Sequence, residues 1–220
     1  MGRTIVIGDI HGCYDELTML LEKARFSRDD KVVAVGDLTV KGPKSREVLN
    51  LFYSDSRFSS VVGNHDLALV RFWKGVTFKL KASQESTFVE LRNGSEHLLE
   101  YLSSLPSHID LAAHVVVHAG LRPGIPLNQQ SLDDLVELRT LGANRTAREG
   151  TPWYEVYDDP KVALFGHWPA AQPRRGKSAI GIDTGCVYGY QLTAYIIETG
   201  EFLSVDAKAT YDASGPNKKL

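Results

Sequence analysis

The chain opens on a pattern that repeats: a short apolar run, a glycine, an oxygen-bearing side chain, then a stretch with helical spacing. The runs are Thr4–Ile7, residues 32–35 and residues 61–62, and they close on Gly8-Asp9, Gly36-Asp37 and Gly63-Asn64. Short runs rich in β-branched residues fit buried strands, and the interval between them holds one helix each. The pattern therefore predicts βαβ units, with parallel strands and right-handed crossovers. Helices are expected over 14–24, 45–53 and 67–73. In the first, Leu17, Leu20, Leu21 and Ala24 fall on one face.

Residues 77–105 break the pattern. Glu90, Leu91, Leu98, Leu99, Tyr101 and Leu102 carry helical spacing, interrupted at Asn93-Gly94 and ended before Pro106. This reads as a helical insertion within a single domain spanning 1–220. Strand signals return at 115–117, 162–165, 179–182, 192–197 and 202–205. Between the last two, Glu198-Thr199-Gly200-Glu201 is too short for a crossover and predicts a hairpin. Crossover-linked strands early and hairpin-linked strands late make an α/β chain. The expected architecture is an α/β/β/α sandwich, two packed mixed sheets with flanking helices. A tail over 212–220, rich in Gly, Pro, Asn and Lys, is expected to fray.

Composition narrows the chemistry. The 220 residues are 43% hydrophobic, enough to bury the core of one domain. A net charge of −2 and a pI near 6.4 give no overall field to draw in extended nucleic acid or a membrane, so an anionic substrate would need a local basic pocket. No apolar run approaches the length of a membrane span, and no secretory leader pattern precedes the first strand. Cys13 and Cys186 make no disulfide framework, so a reduced, cytoplasmic setting is expected.

In open α/β sheets, sites form beyond the carboxyl ends of strands. Here the first run is followed by Asp9 and His11, the second by Asp37, the third by Asn64 and His65. Residues 115–117 lead into His118, and 162–165 into Gly166-His167. A strand-end Gly-Asp pair is often only a turn or a helix cap. Five strand ends that together offer two aspartates, an asparagine and four histidines point instead to metal. This mixed nitrogen and oxygen set suits Mn, Fe, Co or Zn, and no cysteine pair at ligand spacing suggests a structural zinc knot. Carboxylates supply charge to two neighbouring cations and one can bridge them, while neutral imidazoles complete the set without repelling phosphate.

At these residues the chain resembles the PPP-type, calcineurin-like metallophosphoesterases. The matching motifs are Gly8-Asp9-Ile10-His11-Gly12, Gly36-Asp37-Leu38, Gly63-Asn64-His65-Asp66, His118-Ala119-Gly120 and Gly166-His167. The resemblance implies two divalent metal ions, manganese first, held by Asp9 and His11 on one side and by Asn64, His118 and His167 on the other, with Asp37 bridging. It also implies that His65 protonates the leaving group and that Asn64 lies at the substrate phosphate. One departure stands out. The family's second motif runs Gly-Asp-x-x-Asp-Arg-Gly, but here Val40 replaces the aspartate that orients the catalytic histidine. Lys41 replaces the phosphate-gripping arginine, keeping the charge and losing the bidentate fork. The symmetrical diadenosine tetraphosphate hydrolases also lack that aspartate and continue their third motif much like Gly63-Asn64-His65-Asp66-Leu67-Ala68-Leu69. The wider ApaH-like phosphatases are more similar still, at Lys41-Gly42-Pro43-Lys44-Ser45, at His118-Ala119-Gly120-Leu121-Arg122-Pro123 and at Ile182-Asp183-Thr184-Gly185-Cys186. The resemblance runs from about Thr4 to Val205.

The expected activity is thus two-metal hydrolysis of a dinucleoside polyphosphate. A Ser/Thr phosphoprotein phosphatase, or a phosphatase for capped RNA or polyphosphate, is the alternative, and a non-catalytic binding protein on the same scaffold the remote one. Arg139, after the helical run 135–138, is a second candidate for phosphate. Arg122 reads equally as a phosphate contact or a solvated charge, and Arg174-Arg175-Gly176-Lys177 as a solvated loop. His114, the three tryptophans and both cysteines read as structural, His97 and His108 as surface or capping residues, with base stacking on Trp168 as a lesser reading.

Overall fold

The computed structural model describes residues 2–215. The expected βαβ start is present. Strand β1 (Thr4–Ile7) leads through α1 (Tyr14–Lys23) to β2 (Lys31–Ala34), and that through α2 (Ser45–Ser54) to β3 (Phe58–Ser60). All three are parallel, with Val6 opposite Val33 and Ile7 opposite Ala34.

Two boundaries differ from the sequence reading. The third strand precedes the 61–62 run, because β2 offers its ladder to Phe58–Ser60; Val61 N–H still donates to Ala34 O, but Val62 N–H turns away to Pro106 O. The next helix, α3 (Asn64–Trp73), begins three residues before the expected Leu67. Its first turn is polar, so hydrophobic periodicity passes over it. What starts it is Asp66, whose carboxylate accepts the Gly63 N–H at 3.3 Å.

The insertion is a helical pair, α4 (Ala82–Arg92) and α5 (Glu96–Ser104), broken at Asn93-Gly94 as the pattern predicts. It returns through β4 (His108–Asp110), a strand with a single apolar residue that sequence reading missed, to β5 (His114–Val117). Then come α6 (Leu132–Glu137), a two-residue ribbon of β6 (Thr140–Leu141) and β7 (Thr151–Pro152), and α7 (Trp153–Val156). The chain closes with β8 (Val162–Phe165), β9 (Arg174–Arg175), β10 (Ala179–Gly181), β11 (Gln191–Ile196) and β12 (Glu201–Asp206).

Among the described residues two five-stranded sheets result, β12-β11-β1-β2-β3 and β4-β5-β8-β10-β9. The terminal hairpin joins the first sheet, where β11 runs antiparallel to β1. Strand alternation divides the core. Ile5 and Ile7 face the helices outside the first sheet, while Val6, Val33, Val35, Val116, Leu164 and Ile182 fill the space between the sheets. Trp153 and Phe165 anchor a third cluster outside the second sheet. Among the described residues no helix is long and apolar enough to cross a membrane.

Candidate metal centre

The carboxyl ends of β1, β2, β5 and β8 and the start of α3 converge, and they carry the predicted donors. Asp9, His11, Asp37, His118 and His167 are all buried. Their backbones are unusual: His11, Asp37 and His167 adopt φ of 48°, 50° and 66°, the left-handed region that non-glycine residues seldom enter. Hydrogen bonds hold them there. His11 N–H donates to Asp37 O at 2.7 Å, and His167 N–H donates to both Asp9 carboxylate oxygens at 3.1 Å. The flanking glycines make room, since a Cβ on Gly63 would lie 2.1 Å from Asp37 Oδ1 and one on Gly166 1.9 Å from Asp9 Oδ1.

The donor atoms fit a pair of cations. His118 Nδ1 lies 2.8 Å from Val35 O and His11 Nδ1 3.0 Å from Thr39 O. A carbonyl only accepts, so both rings carry their proton on Nδ1 and present a lone pair at Nε2. That lone pair on His118 faces Asn64 Oδ1 at 3.0 Å and Asp37 Oδ2 at 3.5 Å; on His11 it faces the same Asp37 Oδ2 at 3.4 Å and Asp9 Oδ2 at 4.0 Å. His167 Nδ1 is also 3.0 Å from Asn64 Oδ1. Protonating the imidazoles would relieve these contacts, but burial drives His118 down to about 4 and His11 and His167 well below the usual histidine range. Burial likewise raises Asp37 to about 6 and Asp9 well above the carboxylate range, with Asp183 adding to Asp9's rise. A His118 Nε2 lone pair turned toward the Asn64 and Asp37 oxygens, beside carboxylates reluctant to ionise, is what a bound cation resolves. Asp37 Oδ2 is nearly equidistant from the two imidazoles.

His65 lines the same cavity, its ring edge-on to His11 with centroids 5.2 Å apart. Its sequence neighbour Asp66 does not serve it. That carboxylate accepts from Leu38 N–H, Thr39 N–H, the Thr39 hydroxyl and Gly63 N–H. Val40 is fully buried in the apolar core. Lys41, at φ 72°, brings Nζ to 3.2 Å from His11 Nε2 and donates to Tyr188 OH at 2.9 Å. Arg139 also faces the cavity, with its Nη1 donating to Thr146 O and its guanidinium pKa lowered by burial first and by Arg148 second.

The cavity, about 450 Å³, has further walls that sequence reasoning left unassigned: Lys81 and Ser83 from the insertion, Arg148, Asp183 and Tyr188. Asp183 also ends an apolar run, but Ile182 and not a glycine precedes it, so the pattern that marked Asp9 and Asp37 passes over it; burial lifts it to about 6. Asp212 and Ser214, from the tail expected to fray, line the cavity too; the rest of that tail, 216–220, lies outside the described residues. Other candidates lie elsewhere. Arg122 is tied to Asp134 through Nε at 2.7 Å and Nη2 at 3.0 Å. Trp168 packs in the core with the Arg174 guanidinium 4.6 Å above its ring. His114 stands at the start of β5, the opposite end of the strand from His118. Cys13 and Cys186 are buried side by side with Glu16.

The profile of calcineurin-like phosphoesterases matches residues 2–197. The chain is 33% identical to an asymmetrical bis(5'-nucleosyl)-tetraphosphatase of Bacillus subtilis over 95% of this chain and 96% of that one. It is 30% identical to a symmetrical bis(5'-nucleosyl)-tetraphosphatase of Vibrio parahaemolyticus, covering 93% and 98%. Among solved structures, a candidate diadenosine tetraphosphatase superposes with a TM-score of 0.81 at 35% identity, covering 94% of each chain.

Proposed function

Because the chain belongs to the calcineurin-like phosphoesterase family, a family of hydrolases, we propose that its strand-end centre cleaves a phosphoanhydride bond of dinucleoside polyphosphates. Asp9, His11 and Asp37 would hold one divalent cation and Asp37, Asn64, His118 and His167 the other, manganese being the first choice for such a donor set. When bound, the cations supply Lewis-acid charge and lower the pKa of water. Lys41 and Arg139 offset the charge of the phosphate in the cavity, Asn64 lies beside it, and His65 assists the leaving oxygen. The single observation that carries this reading is Asp37 Oδ2, set 3.4 Å and 3.5 Å from two imidazole lone pairs.

The substrate class rests on two supports. Relatives of both cleavage types act on bis(5'-nucleosyl) tetraphosphates. The cavity wall also adds Lys81 and Arg148 to Lys41 and Arg139, four cations for a chain of phosphates. Two free buried thiols fit a reducing, cytoplasmic setting.

Incubation of diadenosine tetraphosphate with the manganese-loaded enzyme, followed by separation of the nucleotides, tests the proposal. Two ADP would mark symmetrical cleavage, AMP with ATP asymmetrical cleavage, and Asp37→Asn should abolish either. Faster turnover of a phosphopeptide than of the dinucleotide would overturn the substrate assignment and keep the metal centre.

A further inference from the structure

We propose that Gln84 positions the His65 imidazole, and that it does so as a hydrogen-bond donor, which selects for leaving groups that depart without taking a proton. The inference rests on the proposed role of His65 at the leaving oxygen and deepens it.

The amide orientation is fixed by the backbone. Lys81 N–H, which can only donate, lies 2.9 Å from Gln84 Oε1. The amino end of the amide therefore faces the other way, and Gln84 Nε2 stands 3.4 Å from His65 Nδ1. An amide NH₂ has no lone pair to offer, so Nδ1 must be the acceptor and the ring proton sits on Nε2. Gln84 is buried in the first turn of α4, and its neighbour Ser83 lines the cavity. The carboxylate next to His65 in sequence does not serve Nδ1, since Asp66 is engaged by the Leu38, Thr39 and Gly63 groups, and Val40 stands where the family's second motif has an aspartate.

This differs in kind from an aspartate behind the histidine. A carboxylate accepts Nδ1–H and supports an imidazolium able to hand a full proton to an alkoxide. A donor at Nδ1 supports only the neutral Nε2–H ring, which can donate a hydrogen bond. For a phosphoanhydride that is enough. Water oxygen bonds to phosphorus, the bond from phosphorus to the bridging oxygen breaks, and its electron pair leaves on the terminal phosphate as a stable anion. The proton released by the water passes to solvent, and His65 keeps its own. A serine alkoxide leaving group could not depart this way, since it needs that proton. Gln84 thus becomes a positioning residue for anhydride over alkyl ester.

Two readouts on the full chain test this. In ¹⁵N-histidine-labelled protein loaded with diamagnetic Mg²⁺, the two-bond ¹H–¹⁵N pattern of His65, assigned by its loss in His65→Asn, should report the Nε2–H tautomer. Gln84→Glu should move it to Nδ1–H or to the imidazolium. In parallel, the ratio of kcat/KM for diadenosine tetraphosphate to that for a phosphoserine peptide should fall in Gln84→Glu by about 100-fold or more, the scale of one general-acid contribution. Gln84→Met should lower kcat on the anhydride with KM little changed. An Nδ1–H tautomer in the parent, or a substrate ratio unmoved in a folded Gln84→Glu protein, would overturn the inference. Turnover of the dinucleotide by the parent tests the proposed function separately, and the tautomer decides the part of Gln84 whichever way that falls.

Discussion

At the scale of single residues, the centre is built from conformations that side chains ordinarily avoid. His11, Asp37 and His167 sit at positive φ, and each such residue costs about 1–2 kcal/mol relative to the right-handed region. Glycines absorb what the donors cannot. Gly166→Ala should push a methyl into Asp9 Oδ1, 1.9 Å away, and into Val35 Cγ2 at 2.6 Å. We expect a folded protein by circular dichroism whose Mn²⁺ affinity is reduced on the order of 10–100-fold, the range seen when the support of a ligand is disturbed. Gly75→Ala is the control: φ is +71° with open space around it, so it should lose about 1 kcal/mol of stability and no metal affinity. Equal affinity in the Gly166→Ala protein would show that Asp9 is not held where the donors need it.

Individual elements set what could be read from the sequence. The proposed donors stand out in the sequence because they cluster just past apolar runs, and strand ends bring such side chains to one end of the packed sheets. Two features were not legible. Gln84 lies on a different helix, in a polar first turn that hydrophobic spacing does not mark. Asp66, next to His65 in sequence, points the opposite way because α3 starts at Asn64, putting Asp66 where it caps the helix and grips the Leu38–Thr39 loop. The third strand lies three residues before Val61-Val62, the more apolar segment, because pairing with β2 favours Phe58–Ser60. Asp66 therefore couples the loop bearing Asp37 to the helix bearing Asn64 and His65. Replacing it by alanine leaves buried N–H groups without an acceptor. On the order of 3 kcal/mol should be lost in urea unfolding of the metal-free protein, with Asp66→Asn retaining part of it. A change below about 0.5 kcal/mol, the level of an unremarkable surface substitution, would sink this coupling role.

Across the whole molecule, the proposed donors come from both of the sheets that pack face to face. Asp9, His11, Asp37 and Asn64 belong to the first sheet and its connections, His118 and His167 to the second. A bound cation pair would therefore tie the layers together, and its contribution must depend on pH. In the metal-free fold, Asp37 and Asp183 are raised to about 6 from an unfolded value near 3.9. Groups raised in this way stabilise the metal-free fold below about pH 4, and that help is lost as pH climbs through 6. His118 runs the other way: lowered to about 4 from near 6.5, it favours the fold above 6.5 and ceases to as pH falls. The two sets oppose each other between pH 4 and 6.5, so the metal-free protein alone should show a shallow profile. Cation binding removes the opposition by demanding ionised carboxylates and neutral imidazoles together. Below pH 6 it must displace a proton from Asp37, and below pH 4 from His118 as well. The difference in Tm between manganese-loaded and metal-free protein should accordingly be full at pH 7.5 and shrink steeply by pH 5. Melting curves at both pH values with a fixed excess of Mn²⁺ would measure it, and calorimetric titration in buffers of different ionisation enthalpy would count the protons released. A Tm difference as large at pH 5 as at pH 7.5 would mean that Asp37 is not the carboxylate the cations share.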